Sequence, residues 1–183
     1  MAQVLGPTDS ATETEAACAT CSAIVAEGGV GRALAWLNAR TRYRFTGIYR
    51  VEPPLLRNVV LFDRENPDVN VSGEVSPLDE TYCALTFASG PLSITDASSD
   101  ARLAQHAARA SVISYDGVPM RLANGQVWGT LCHYDVRPRL LKPDERLVLE
   151  AVVPVLIASL HSPSTAAAIS ALPARSPRDS AER

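Results

Sequence analysis

The sequence predicts an α+β domain in which an antiparallel sheet carries long terminal helices on one face. Three observations predict it. Apolar residues alternate with a period of two over 45–51 and again over 126–134, as half-buried strands require. Asn124-Gly125 separates two such runs, and that dipeptide suits the positive φ angles of a tight hairpin turn. Near both ends the spacing becomes helical, through Val30, Leu34 and Leu37 and then Leu149, Val152, Val153, Leu156 and Leu160. A sheet with helices layered on one face buries both apolar surfaces at once.

The elements follow in order. Ser10-Ala-Thr-Glu13 reads as a capping box that opens a helix through about Glu27. Gly28-Gly29-Val30-Gly31 lacks the preceding strand and the Gly-Lys-Ser/Thr ending of a phosphate loop, so it reads as a helix break. A second helix runs to about Ala39. Phe45 to Val51 is a strand with Phe45, Gly47, Tyr49 and Val51 on one face, ended by Pro53-Pro54. Asn58 to Asp63 is a second strand, and Asn66-Pro67-Asp68 a turn. Ser76 and Pro77 read as N-cap and first residue of a short helix that carries Cys83 and ends at Gly90. Pro91 to Thr95 is a short strand. Ser98 or Ser99 caps a further helix to about Arg109 that includes His106. Ser111–Leu122 and Gln126–Tyr134 form the hairpin. Pro143-Asp144-Glu145 opens the last helix, which Pro154 should kink by removing a backbone donor. Residues 10–161 are the domain. Residues 1–9 read as a flexible start, and 162–183, rich in Ser, Pro, Ala and Arg, as a disordered tail.

Composition narrows the function. The chain has 17 Lys+Arg against 20 Asp+Glu, a net charge of -3, with no basic cluster, which argues against nucleic acid and anionic membranes as partners. Its longest apolar run, Ala151 to Ala158, is far short of the roughly 20 residues of a membrane span. The N-terminus has neither a cationic start nor an apolar signal core, so a cytoplasmic location with reduced thiols is expected. The thiols are Cys18, Cys21, Cys83 and Cys132. Cys18-Ala-Thr-Cys21 has no second close ligand pair, as a structural zinc site would need.

Five segments, in register over about residues 28–161, resemble a GAF domain. They are Ala33-Leu-Ala-Trp-Leu-Asn with the strand after it, Glu80-Thr-Tyr-Cys83 through Gly90-Pro-Leu-Ser-Ile-Thr-Asp96, Asp100-Ala-Arg-Leu, Gly117-Val-Pro-Met, and Gly129-Thr-Leu-Cys-His-Tyr-Asp135 with Pro138-Arg139 and Asp144-Glu145. The resemblance implies a six-stranded antiparallel sheet, terminal helices on one face and a ligand pocket on the other. It implies a sensory or regulatory module, often a homodimer through the terminal helices. No output domain follows, so the expected signal passes to a separate protein such as a kinase or cyclase.

The strand at 126–134 offers two faces. Gly129 would permit close helix packing, which assigns Val127, Gly129, Leu131 and His133 to the helix side. The pocket candidates are then Tyr49, Cys83, Thr86, Tyr115, Thr130, Cys132 and Tyr134. These hydroxyls and thiols suit a neutral or anionic polar ligand, and helix N-termini at Ser76 and Ser98/Ser99 would supply donors for an anion. No cofactor is required.

Other readings compete. The family's enzymatic member is free methionine-(R)-sulfoxide reductase, and Cys83 falls near one of its motif cysteines. Its key cysteine follows a His by a few residues, where this chain has His106-Ala-Ala-Arg109, so Arg109 occupies that place and no enzyme activity is expected. Trp128-Gly129 and Cys132-His133-Tyr134 resemble a phytochrome strand, but the Asp-Ile-Pro motif of bilin binding is absent. His106 and His133 would be haem ligands, and the four cysteines would be ligands of an iron–sulfur cluster. A last reading is a ligand-free interaction module, in which the Ala-, Ser-, Thr- and Cys-rich helix at 10–27 packs against a second copy.

Overall fold

A computed structural model describes residues 7–68 and 72–161 of the chain. The expectations for 1–6 and 162–183, and the side-chain bonds of a cap at Ser10, lie outside what it describes. Helix α1 spans Pro7–Ala39 and therefore starts before Ser10. It is kinked at Gly29, whose φ of 77° leaves the helical region, so the glycine run does break the helix. Strand β1 is Phe45–Glu52 and β2 is Leu55–Asp63, beginning three residues before the expected Asn58. Strand β3 is Val75–Pro77 and helix α2 is Tyr82–Ser89. Strands β4, β5 and β6 are Leu92–Ile94, Ser114–Arg121 and Val127–Asp135. Helices α3 (Pro143–Ala151) and α4 (Val153–Leu160) meet at the kink expected from Pro154.

The six strands form one antiparallel sheet in the order β3-β2-β1-β6-β5-β4, so the last strand in sequence lies at its centre. Leu34, Leu37, Ile48, Met120, Leu131, Leu149 and Leu156 build the core between the sheet and α1, α3 and α4. A second core on the opposite face contains Leu56, Tyr82, Cys83, Ile94, Leu103, Tyr115 and Cys132. Alternation along the strands creates the two cores. Ile48 and Leu131 point to the helices, while their neighbours Tyr49 and Cys132 point away.

One expected helix is shortened at its start and another is replaced. Ser76 and Pro77 belong to β3, where they pair with Leu56 and Leu55, and only a 3-10 turn at Leu78–Glu80 follows before α2. Pairing with the exposed edge of β2 outweighs local capping preference there, and an edge strand accepts Pro77. The stretch from 98 to 109 holds two 3-10 turns, Ala101–Leu103 and Ala107–Ala110. Asp100 accepts from the Arg102 amide, and His106 Nδ1 from the Ala108 amide at 3.2 Å. Each side chain closes a local turn where a continuous helix was expected.

Gly129 does lie with Leu131 and His133 on the predicted side of β6, but not for helix packing. A Cβ there would run into the Tyr49 carbonyl of β1, so glycine serves strand against strand. Trp128 leaves the face predicted for it and packs on the helix-side core. The β5–β6 register shifts beside Met120 and Arg121, so Trp128 is the extra residue of a bulge and alternation slips by one.

Among the small residues of α1, Ala17 and Cys21 are buried in the helix-side core and Cys18 Sγ lies 3.2 Å from the Ala151 carbonyl, while Ala16, Ala19, Thr20, Ser22 and Ala23 are exposed.

Candidate functional site

The face opposite the long helices forms a half-open cavity of about 400 Å³. Strands β1, β2 and β6 form its floor, β3 and the start of α2 one wall, and the 3-10 turn at 107–110 another. Five of the seven pocket candidates line it: Tyr49, Cys83, Tyr115, Cys132 and Tyr134. The other two stand behind. Thr86 is buried with its hydroxyl 3.0 Å from the Tyr115 hydroxyl, and Thr130 is buried beside Cys83.

The sheet register explains how these side chains fit. Cys132 pairs with Gly47 on one side and Gly117 on the other. A Cβ at Gly47 would come within 2.7 Å of the Tyr49 ring, and one at Gly117 would meet the Tyr115 hydroxyl. The two glycines leave room for both phenols to lie down on either side of Cys132. Gly117→Ala is therefore expected to displace Tyr115 and lower unfolding free energy by about 1–3 kcal/mol, measured by urea denaturation. Unchanged stability would show that the Tyr115 ring has room to move.

The phenols are paired and neutral. Tyr49 and Tyr134 hydroxyls lie 2.9 Å apart, and burial drives both titrations upward. Tyr115 is also pushed up by burial. Its hydroxyl lies 3.5 Å from Cys83 Sγ and is positioned to donate to it. Cys83 occupies the first turn of α2. The neighbouring Cys132 thiol first, and then the Tyr115 hydroxyl, hold its pKa below the usual thiol value despite burial. Cys132 moves the opposite way, through burial first and then the neighbouring Cys83.

Composition did not reveal several lining residues. Asn58 and Leu56 come from β2, Tyr82 from the start of α2, and Glu74, Ser76 and Glu80 from the segment around β3. Alternation along β2 signals Leu56 and Asn58, but only the β3 pairing brings Glu74 and Ser76 to the wall. The lining carries Glu74 and Glu80 and no Lys, Arg or His among the described residues. Ser76 is a strand residue. Ser98 lies in a turn, where its amide donates to Asp96 at 2.9 Å. The helix termini expected to hold an anion are absent, and the charge of the wall disfavours one.

Residues of the competing readings fall elsewhere. Arg109 Nε donates to the Ala97 carbonyl at 3.0 Å and its Nη2 to the Ser98 carbonyl, tying two turns together outside the cavity lining. His106 packs at a tilt against the Tyr82 ring, centroids 4.7 Å apart, whereas His133 lies on the helix side against Thr46, so the two histidines occupy opposite faces. Cys18 and Cys21 are likewise across the sheet from Cys83 and Cys132. Among the described residues no three His, Cys, Asp or Glu side chains converge as metal ligands, and no helix is long and apolar enough to cross a membrane.

A six-stranded antiparallel sheet, helices on one face and a cavity on the other define a ligand-pocket class of α+β domain. The chain belongs to the GAF domain family, whose profile matches residues 13–158. Solved structures share the fold. Free methionine-R-sulfoxide reductase from Neisseria meningitidis, in complex with its substrate, is 16% identical with a TM-score of 0.63, covering 91% of this chain and 98% of that one. The phycocyanobilin-bound GAF domain of a cyanobacterial phytochrome is 17% identical with a TM-score of 0.61, covering 86% and 95%. The GAF domain of Acinetobacter phosphoenolpyruvate-protein phosphotransferase is 13% identical with a TM-score of 0.60, covering 84% and 95%. None of the curated proteins matches the sequence.

Proposed function

We propose that this chain is a cytoplasmic sensory domain that binds a small, neutral or cationic molecule and signals to a separate protein. The half-open cavity of about 400 Å³ carries this reading. It lies at the small end of ligand sites, which span roughly 300–1,000 Å³. Phenol faces and two carboxylates suit a compact ligand with N–H donors or a positive charge. The wall elements α2 and β3 move with occupancy, and the sheet relays this to the terminal helices, where a second copy or an output protein docks.

The test is a thermal-shift screen with small amines, neutral amino acids and nucleobases at millimolar concentration. A ligand at about 100 times its Kd should stabilise the fold by roughly 2.7 kcal/mol. Ala107→Trp places an indole in the cavity wall and should abolish the shift while the protein stays folded. No shift from any compound, or a shift that survives Ala107→Trp, would sink the reading. Light scattering with and without the hit compound checks the pairing of copies.

A further inference from the structure

We propose that Cys83 and Cys132 form a reactive dithiol in which Cys83 attacks a small hydroperoxide entering the cavity and Cys132 resolves the product to a disulfide. This does not rest on the ligand-binding reading, since it concerns two side chains and a reagent of a few atoms.

The geometry carries it. The two cysteines come from different elements, α2 and β6, yet both line the same cavity and belong to one buried cluster. Ordinary buried cysteines pack as small apolar residues. Here Cys83 instead has the Tyr115 hydroxyl 3.5 Å from its sulfur, positioned to donate, and Cys132 in the same buried cluster. Thr86 fixes Tyr115 from behind at 3.0 Å. A hydroxyl donor on the sulfur favours its thiolate, the nucleophilic form, and the position in the first turn of α2 adds to this. The neighbouring thiol keeps its proton, as a resolving partner should. A hydroperoxide is small and neutral, so a wall bearing Glu74 and Glu80 does not repel it.

The chemistry balances in two steps. The Cys83 thiolate attacks one peroxide oxygen, the O–O bond breaks, and the leaving alkoxide takes up the proton that the thiol lost. The product is a Cys83 sulfenic acid and an alcohol, or water where the oxidant is hydrogen peroxide. Cys132 sulfur then attacks Cys83 sulfur, the S–O bond breaks, and the hydroxyl leaves as water with the Cys132 proton. Two thiols are oxidised by two electrons and the peroxide is reduced by two. A small dithiol reverses the product by exchange.

Cys18 and Cys21 provide an internal contrast. Burial pushes the Cys21 thiol up to about 11, and both residues lie on the other side of the sheet.

The test treats the full-length reduced chain with stoichiometric hydrogen peroxide and maps the peptides by mass spectrometry. The expected result is a loss of about 2 Da, located in a Cys83–Cys132 disulfide and reversed by dithiothreitol. Cys132→Ser should stop at a sulfenic acid on residue 83, trapped by dimedone. Cys83→Ser should slow oxidation of Cys132 by roughly a hundredfold, because Cys132 stays protonated. Free Cys83 and Cys132 in the wild-type peptides after excess peroxide would overturn the proposal, as would oxidation confined to Cys18 and Cys21. The wild-type map decides even where a variant fails to fold. A failed ligand screen leaves the map's result untouched.

Discussion

Arg146→Met is expected to lower the free energy of unfolding by about 3–5 kcal/mol. Asp116 lies on the helix side of β5 and is 1% exposed. Its carboxylate forms an ion pair with the Arg146 guanidinium of α3, accepts a hydrogen bond from Ser93 Oγ at 2.7 Å and has the Tyr43 hydroxyl at 3.5 Å. Arg146 is the cation in that set. Replacing it leaves a buried carboxylate with two neutral donors, and either a charge stays out of water uncompensated or the fold takes up a proton. Asp116 and Arg146 also connect the sheet to the first turns of α3, so helix docking weakens in the same variant. The double variant Asp116→Leu with Arg146→Met should recover most of the loss, because an apolar pair of similar volume carries no desolvation cost. Urea unfolding at pH 7 measures both. A single variant that loses less than about 1 kcal/mol would show that the pair is solvated in the folded protein.

The sheet was legible because its signals are local. Alternation through Tyr49 and Cys132 and the turn at Asn124-Gly125 depend only on neighbouring residues, and these elements stand where the sequence places them. The side of β6 that meets the helices was also readable, although Gly129 is needed against the Tyr49 backbone and not against a helix. What was hidden depends on partners distant in sequence. Ser76 resembles a helix cap until the β2 edge offers it a strand. Trp128 changes face at a bulge defined by β5. Thr86 and Thr130 have the right chemistry for a pocket, yet phenol and thiol side chains lie between them and the cavity. Glu74 and Glu80 reach the wall by way of β3, a short strand that local sequence reads as a helix start, so carboxylates stand where backbone donors for an anion were expected.

Acid should destabilise this protein well above the range where its carboxylates titrate, and His133 is the reason. Its ring is 2% exposed on the helix side of β6, stacked at 5.7 Å on Tyr43 and 2.7 Å from Thr46 Oγ1. Asn38 Nδ2 donates to that same hydroxyl at 2.9 Å. Thr46 Oγ1 thus accepts from Asn38 and makes its other bond with His133 Nδ1. Burial, aided by the positive charge of Arg64, pulls the pKa down to about 3. Asp116 is the cross-strand neighbour that would favour a charged ring, but it is already paired with Arg146. The sign follows directly. Below the unfolded value of about 6.5 the unfolded chain binds a proton that the folded chain refuses, so stability falls as pH drops. The slope is about 1.4 kcal/mol per pH unit, or roughly 3 kcal/mol lost by pH 4. Asp63 does not contribute in that window. Burial raises its pKa, but hydrogen bonds from Arg44, Asn66 and the Glu65 amide outweigh this and hold it at about 2, so its share is lost only below the ordinary carboxylate range. His133→Asn keeps a polar acceptor near Thr46 and removes the titration. Urea unfolding at pH 7, 6, 5 and 4 should show the wild type losing stability by about one proton more per molecule than the variant across that interval. Parallel losses in the two proteins would mean that His133 binds its proton in the folded state.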